Sequence, residues 1–362
     1  MTATSLNEVI AAHRVIVCCG SGGVGKTTTA AALALQAARR GRRAVVVTID
    51  PAKRLADALG LDALTNTPTT IEGPWPGELA ALMLDTEGTF NDLVAKYAGS
   101  AEQADKILAN RFYRNIAGAL SGTQEYMATE KLFELHDETD YDLIVVDTPP
   151  TRNALDFLEA PTRLTRFLDH RLYRIVTAPT RGLVKAVNVA AQGFLRSVGK
   201  VVGGEVIADA IAFFAAFEGM DEGFKDRARR VGSLLAADET GFVLVASPKA
   251  DTTEEAAYFA AKLREHDIEV RALIVNRMHP DPGPGSPAAD RERASTFAGT
   301  PLGSLYTCLA DLRQIAHSEA EHLAELTSQV APAPVCKVAY LPFEVCDLDT
   351  LTRFGEALVE SG

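Results

Sequence analysis

No apolar run in this 362-residue sequence reaches the ~20 residues needed to span a bilayer; the longest candidate, Val201 to Phe217, is interrupted by Glu205 and Asp209. Basic residues are the minority sign, 36 against 48 acidic ones, and the net charge of -12 argues against broad binding to nucleic acid or anionic lipid. Cysteine occurs five times, an odd number that reads as reduced thiols rather than a disulfide framework. The N-terminus has no room for a signal peptide before the first apolar strand and glycine loop. These absences give the expectation of a soluble cytoplasmic protein that is not integral to a membrane. What is present is an ordinary globular balance, 47% hydrophobic and 23% charged, which excludes a disordered chain. The length fits about two domains, or one large domain with insertions.

The first informative stretch is Val15-Ile-Val-Cys-Cys19, a short apolar run of strand character, followed by a glycine loop and an alanine- and leucine-rich helical run from Ala30 to Arg40. The loop has the spacing G-x4-G-K-T, with Gly20, Gly25, Lys26 and Thr27 in the required places. Glycines such as Gly22 and Gly23 let the backbone of Ser21 to Thr28 curl so that its N–H groups converge on phosphate oxygens, with the helix dipole behind them. Lys26 then reaches the β/γ-phosphates, and the Thr27 hydroxyl ligates Mg²⁺. A strand before the loop and a helix after it argue against a chance glycine turn.

A second β-branched strand, Ala44 to Ile49, ends in Asp50-Pro51, and a third, Leu143 to Val146, ends in Asp147-Thr148-Pro149. In open α/β sheets the site lies outside the carboxyl ends of the strands, so both aspartates should face the phosphate loop. Asp147 fits the Mg²⁺-side carboxylate, acting through water, and Asp50 can orient or deprotonate an attacking water. Taken singly, each aspartate fits a helix cap equally well, since a proline follows.

Together, Gly-Gly-Val-Gly-Lys-Thr-Thr, Asp50-Pro-Ala-x-x-Leu-x-Asp-Ala58 and Asp147-Thr-x-Pro-Thr-x-x-x-Leu155 resemble the ArsA family. That family comprises the arsenical-pump ATPase and the ATPase that delivers tail-anchored proteins to membranes. The resemblance continues in Phe224-Lys-x-Arg-Ala-x-Arg-Val231, Val275-Asn-Arg277 and Tyr340-Leu-Pro-Phe343, so it runs through nearly the whole chain. It implies a P-loop fold, ATP/ADP and Mg²⁺ as ligands, Asp50 and Pro51 in a first switch with Asp50 as catalytic base, and Asp147, Thr148 and Pro149 in a second. It also implies that Asn276 reads the adenine edge and that Leu341, Pro342 and Phe343 line the base pocket. Read without the resemblance, Asn276 is as well explained as a turn residue.

The fold expected is α/β: a P-loop NTPase with a mostly parallel twisted sheet flanked by helices. Nucleotide residues occur at 20–28, 50, 147, 276 and near 342, so a single domain spanning 1–362 must use both ends of the chain. The strands Phe242 to Ala246, Val270 to Val275 and Val338 to Leu341 should complete its sheet, and His279 to Pro287 is a proline-glycine loop. Roughly 88–135 and 156–236 carry helical patterns and should form an inserted helical, client-binding subdomain.

In that insertion, Ile207, Ile211, Phe214 and Phe217 lie on apolar rows of a helix with only a narrow polar edge. In the tail-anchored targeting relatives such helices line a groove for a hydrophobic client helix; a packed helical core gives the same pattern. The Cys-x-x-Cys that joins eukaryotic relatives through zinc is missing, and Cys308, Cys336 and Cys346 are scattered, so no zinc is expected. The neighbouring Cys18 and Cys19 should fill the core. The reading is therefore an ATP-hydrolysing targeting factor for membrane-protein segments. Its alternatives are a MinD-like regulatory or positioning ATPase acting through a protein partner, and a metalloid-pump subunit, the latter disfavoured by the cysteines. Family members carry a lysine at the second loop position that crosses a dimer interface to the partner's phosphates; here that position is Ser21. The expectation is a dimer with a related, lysine-bearing chain, against the simpler reading of slow turnover with Ser21 as a small loop residue.

Overall fold

The computed structural model describes residues 5–50, 54–111, 123–149, 151–169, 209, 212–213, 216 and 219–361. Eight strands form one sheet: β1 (Val15–Gly20), β2 (Arg43–Thr48), β3 (Thr69–Ile71), β4 (Glu78–Met83), β5 (Leu143–Asp147), β6 (Thr240–Ala246), β7 (Val270–Met278) and β8 (Val335–Ala339). Their order is β3-β4-β2-β5-β1-β6-β7-β8, and every neighbouring pair is parallel except β3 with β4. β1, the central loop-bearing strand, is buried along its whole length, as a strand covered on both faces must be.

The helices are α1 (Leu6–Ala12), α2 (Lys26–Arg39), α3 (Arg54–Leu59), α4 (Thr86–Tyr97), α5 (Ala101–Leu108), α6 (Thr123–Glu138), α7 (Thr151–Asp169), α8 (Asp221–Leu235), α9 (Ala250–Glu265), α10 (Pro287–Thr296), α11 (Pro301–Val330) and α12 (Leu348–Glu360). α2 starts directly from the glycine loop, and its run of alanines is buried from Ala30 to Ala38. Small side chains on both sides let α2 lie between the sheet and α12. Asp347 and Thr350 close a reciprocal cap at the start of α12, each side chain bonding the other's backbone.

Three strands depart from the sequence expectation. β3 and β4 were not foreseen, because Glu-Leu-Ala-Ala-Leu-Met of β4 is built from helix formers; pairing beside β2 and burial of Leu79 to Leu82 override that preference. β8 begins at Val335, three residues ahead of the expected Val338 to Leu341, and Leu341 packs on the core beyond its end.

The chain divides into two compact units. The first comprises Met1–Met83, Glu138–Leu155 and Asp238–Gly362, and holds the sheet. The second comprises Leu84–Asp137 and Asp156–Ala237. Within the second unit Tyr97 packs on Phe224 with ring centroids 5.3 Å apart, and buried Arg227 meets buried Glu130 at 2.8 Å. The Arg227 guanidinium also lies 4.2 Å over the Phe133 ring, and the Tyr126 hydroxyl donates to Glu130 at 2.5 Å. Among the described residues no helix is long and apolar enough to cross a membrane.

Candidate nucleotide site

The glycine loop leaves β1 at its carboxyl end, and two of its glycines are demanded by close approaches. A Cβ on Gly20 would stand 2.0 Å from the Val245 carbonyl oxygen of β6. Gly25, with φ +98°, would place a Cβ 2.4 Å from Asn276 Nδ2. The Asn276 side chain thus seats against the loop: Nδ2 donates to the Val24 carbonyl at 2.9 Å, and Oδ1 accepts the Arg277 N–H at 2.9 Å. Among the described residues one N–H and one lone pair of that amide remain unpaired.

Lys26 is buried at the start of α2, and its Nζ donates to the Ser21 carbonyl at 2.8 Å. Burial lowers its pKa, against the raising influence of Asp147. Ser21 is itself buried, and its hydroxyl has no hydrogen-bond partner among the described residues.

Asp147 ends β5 beside β1. Its Oδ2 accepts the Thr27 hydroxyl at 2.7 Å and the Thr48 hydroxyl at 3.0 Å. Its Oδ1 is buried with no partner among the described residues. Burial pushes the carboxyl up to about 6, opposed by the two hydroxyl bonds and by Lys26, and aided by Asp50. A hard-oxygen pair of hydroxyl and carboxylate with one orphaned oxygen fits Mg²⁺, which keeps several waters and takes few protein ligands. Asp147 is therefore no helix cap: its bonds run to side chains of α2 and β2.

Asp50 follows β2, with its backbone N–H on Thr48 Oγ1 at 3.3 Å and its carboxylate 3.4 Å from Arg54 on α3. Thr148 donates its hydroxyl to the Cys18 carbonyl at 2.7 Å, which fixes the chain leaving β5 on β1; Pro149 beside it is buried. Thr28 sits half-buried in the first turn of α2, with Gly22 and Gly23 exposed on the loop. Pro342 is exposed after β8, and the Phe343 ring lies 3.9 Å beneath the Arg353 guanidinium. Pro51 and the groove candidates Ile207, Ile211, Phe214 and Phe217 lie outside the described residues.

The fold therefore gathers residues 20–28, Thr48, Asp147 and Asn276. Thr48, which the sequence reading omitted, bonds both Asp147 and the Asp50 backbone. Its signal was the parallel register: Thr48 stands opposite Asp147 across β2 and β5. The strand thiols Cys18 and Cys19 are buried, Cys18 pushed well up and Cys19 up to about 12 by burial, which makes both inert near neutral pH.

Residues 13–293 match the family described as anion-transporting ATPase. A protein named ATPase GET3 from Phaeosphaeria nodorum is 28% identical over 269 residues, covering 72% of this chain and 74% of that protein. The ATPase GET3 of Chaetomium globosum is 27% identical over 345 residues, covering 94% and 88%. ATPase asna-1 of Caenorhabditis elegans is 29% identical over 156 residues, covering 41% and 45%.

Proposed function

This chain belongs to the anion-transporting ATPase family, and we propose that it is a cytoplasmic, ATP-hydrolysing switch that binds and releases hydrophobic segments of membrane proteins. The observation that carries the reading is Asp147, a buried carboxylate with one oxygen on Thr27 and Thr48 and the other without a partner among the described residues, next to a lysine-bearing glycine loop. Thr27, and Asp147 through water, would hold Mg²⁺, which would supply positive charge to neutralise the phosphates. Lys26 leaves the Ser21 carbonyl for the β/γ-phosphates. Asp50 orients the attacking water and accepts its proton. Thr48 couples the two aspartates, donating to Asp147 and accepting from the Asp50 backbone, so a change at the metal side is felt where the 51–53 segment begins.

The second compact unit is the proposed client-binding subdomain, and the client a transmembrane helix of the kind that tail-anchored proteins carry. Support comes from the switch motifs shared with the family and from the apolar rows of 206–217. The protein should work as a dimer. The test is purification with ATP, with phosphate release and copurifying proteins both measured. Turnover that Lys26→Ala abolishes, together with recovery of proteins bearing a single C-terminal span, supports the reading. ATP-dependent recovery of one defined cytosolic partner instead would favour a regulatory ATPase, and near-normal ATP affinity in Lys26→Ala would remove the nucleotide site.

A further inference from the structure

A second opening lies beside the phosphate loop. It is a cleft of about 550 Å³ walled by Gly22 and Gly23 of the loop, Lys249 before α9, Arg277 and His279 at the end of β7, and Tyr340 after β8. Gly22, Gly23 and Val24 of the loop line it, whereas Lys26, Thr27, Thr28 and Asn276 do not.

Two exposed cations without an acidic partner among the described residues, Arg277 and Lys249, line the cleft together. Other cations of the same unit are paired: Arg313 meets Asp290 at 2.6 Å, Arg271 meets Glu269 at 2.9 Å and Arg43 meets Glu78 at 3.1 Å. Arg277 and Lys249 are exposed, and neither has an acidic partner among the described residues. The acids of the cleft are already engaged. Buried Glu319 accepts the His279 backbone N–H at 3.0 Å and faces His279 Nδ1 at 2.6 Å, while Asp251 accepts the Thr252 N–H at 2.8 Å.

Arg277 is also held in an unusual way. Its φ is +63°, a left-handed backbone that non-glycine residues rarely adopt, and the β7–β8 register breaks between Val275 and Met278. The conformation is fixed by the Asn276 amide that bridges the Arg277 N–H to the Val24 carbonyl. A single side chain thus ties the guanidinium's backbone to the phosphate loop. Left-handed non-glycine residues kept by such bracing cluster at binding sites.

We propose that Arg277, assisted by Lys249, is a second phosphate-binding position beside the loop, supplying the cation that Ser21 cannot. The inference rests on reading residues 20–28 as an ATP loop. The ligand chemistry is a phosphate group, for which a guanidinium fork is well shaped. Its source is either free phosphate or the terminal phosphates of a nucleotide on a second copy.

The experiment uses the full chain with Arg277→Ala, Arg277→Lys and Arg277→Gly, the last removing the charge while easing the left-handed backbone, and Lys26→Ala in parallel. ATP affinity, turnover, calorimetric binding of inorganic phosphate to the ADP-loaded chain, and sedimentation with and without ATP are measured. Arg277→Ala and Arg277→Gly should keep ATP affinity within about threefold yet lose roughly 10²–10³ in turnover, with partial recovery in Arg277→Lys. Loss of phosphate binding by the ADP-loaded chain identifies a free anion; loss of an ATP-dependent dimer identifies a neighbour's nucleotide; either supports the site. Unchanged turnover, phosphate binding and ATP-dependent association in Arg277→Gly together overturn it. ATP binding by the unaltered chain with indifference to Arg277 removes this inference alone, whereas no ATP binding at all removes the nucleotide reading as well.

Discussion

In the sheet-bearing unit, Asp147 ends a buried strand with two hydroxyls on one oxygen and no partner among the described residues on the other; in the helical unit, Glu130 is just as buried but is met by Arg227 and Tyr126. Burial alone does not separate a ligand-binding carboxylate from a structural one. Completion does. Glu130 has a cation at 2.8 Å, stacked in turn on Phe133, so its charge is compensated within the fold. Among the described residues Asp147 has hydroxyl donors and a lysine that bonds elsewhere, and burial pushes its carboxyl up to about 6, as the proposed metal role would have an uncompensated carboxylate do. Asp50 is a third case: a partly exposed carboxylate paired at 3.4 Å with exposed Arg54, an ion pair that contributes little to stability.

The largest effect expected is on turnover from the exposed member of these three. Asp50→Asn should keep nucleotide binding and melting temperature while turnover falls by roughly 10²–10⁴; single-turnover phosphate release measures it, and undiminished hydrolysis would return Asp50 to a capping role. Next comes the completed pair. Arg227→Ala leaves Glu130 buried without its cation, and chemical denaturation should show a loss of about 3–5 kcal/mol. A loss under about 1 kcal/mol would mean that Glu130 is hydrated after all, and the contrast with Asp147 would collapse.

The smallest effect is a pH dependence. Because burial raises the Asp147 carboxyl above its ordinary value, ionising it costs the folded chain stability; that cost is absent below the ordinary range near 4 and complete above about 6. Mg²⁺ needs the ionised form, so Mg²⁺-dependent ATP affinity should fall about tenfold per pH unit below 6. Asp147→Asn should flatten that profile. A wild-type affinity constant down to pH 5 would show that Asp147 does not serve the metal.

Much of this contrast was legible before any coordinates. The strand–loop–helix pattern around Lys26 announces itself through apolar runs and glycine spacing, and Asp147 through its position after a β-branched strand. Thr48 was missed because its importance lies in register: a threonine at the end of a strand is ordinary until β2 is set against β5. Asn276 could be assigned only by resemblance, since its bond to Val24 joins residues 252 positions apart. β4 misled because six helix-forming residues were recruited to a sheet by burial on both sides. Glu130 carried no local signal and Arg227 stood out only within the Phe224 to Val231 motif, so the buried pair they form could not be read from the sequence.

The bond between Asn276 and Val24 has a consequence for the order in which the protein is made. Residues 20–25 leave the ribosome early, but the side chain that presses on Gly25 and fixes the Val24 carbonyl is encoded 252 positions later. At translation speeds of roughly 5–20 residues per second, that interval lasts on the order of 10–50 seconds. For most of it the glycine loop has neither β6 nor β7 to brace it, and the proposed nucleotide would find nothing preformed to grip. ATP should therefore not rescue truncated chains that stop before β7, and ribosome-stalled chains should gain nucleotide-dependent protease resistance abruptly once the segment through Met278 has emerged.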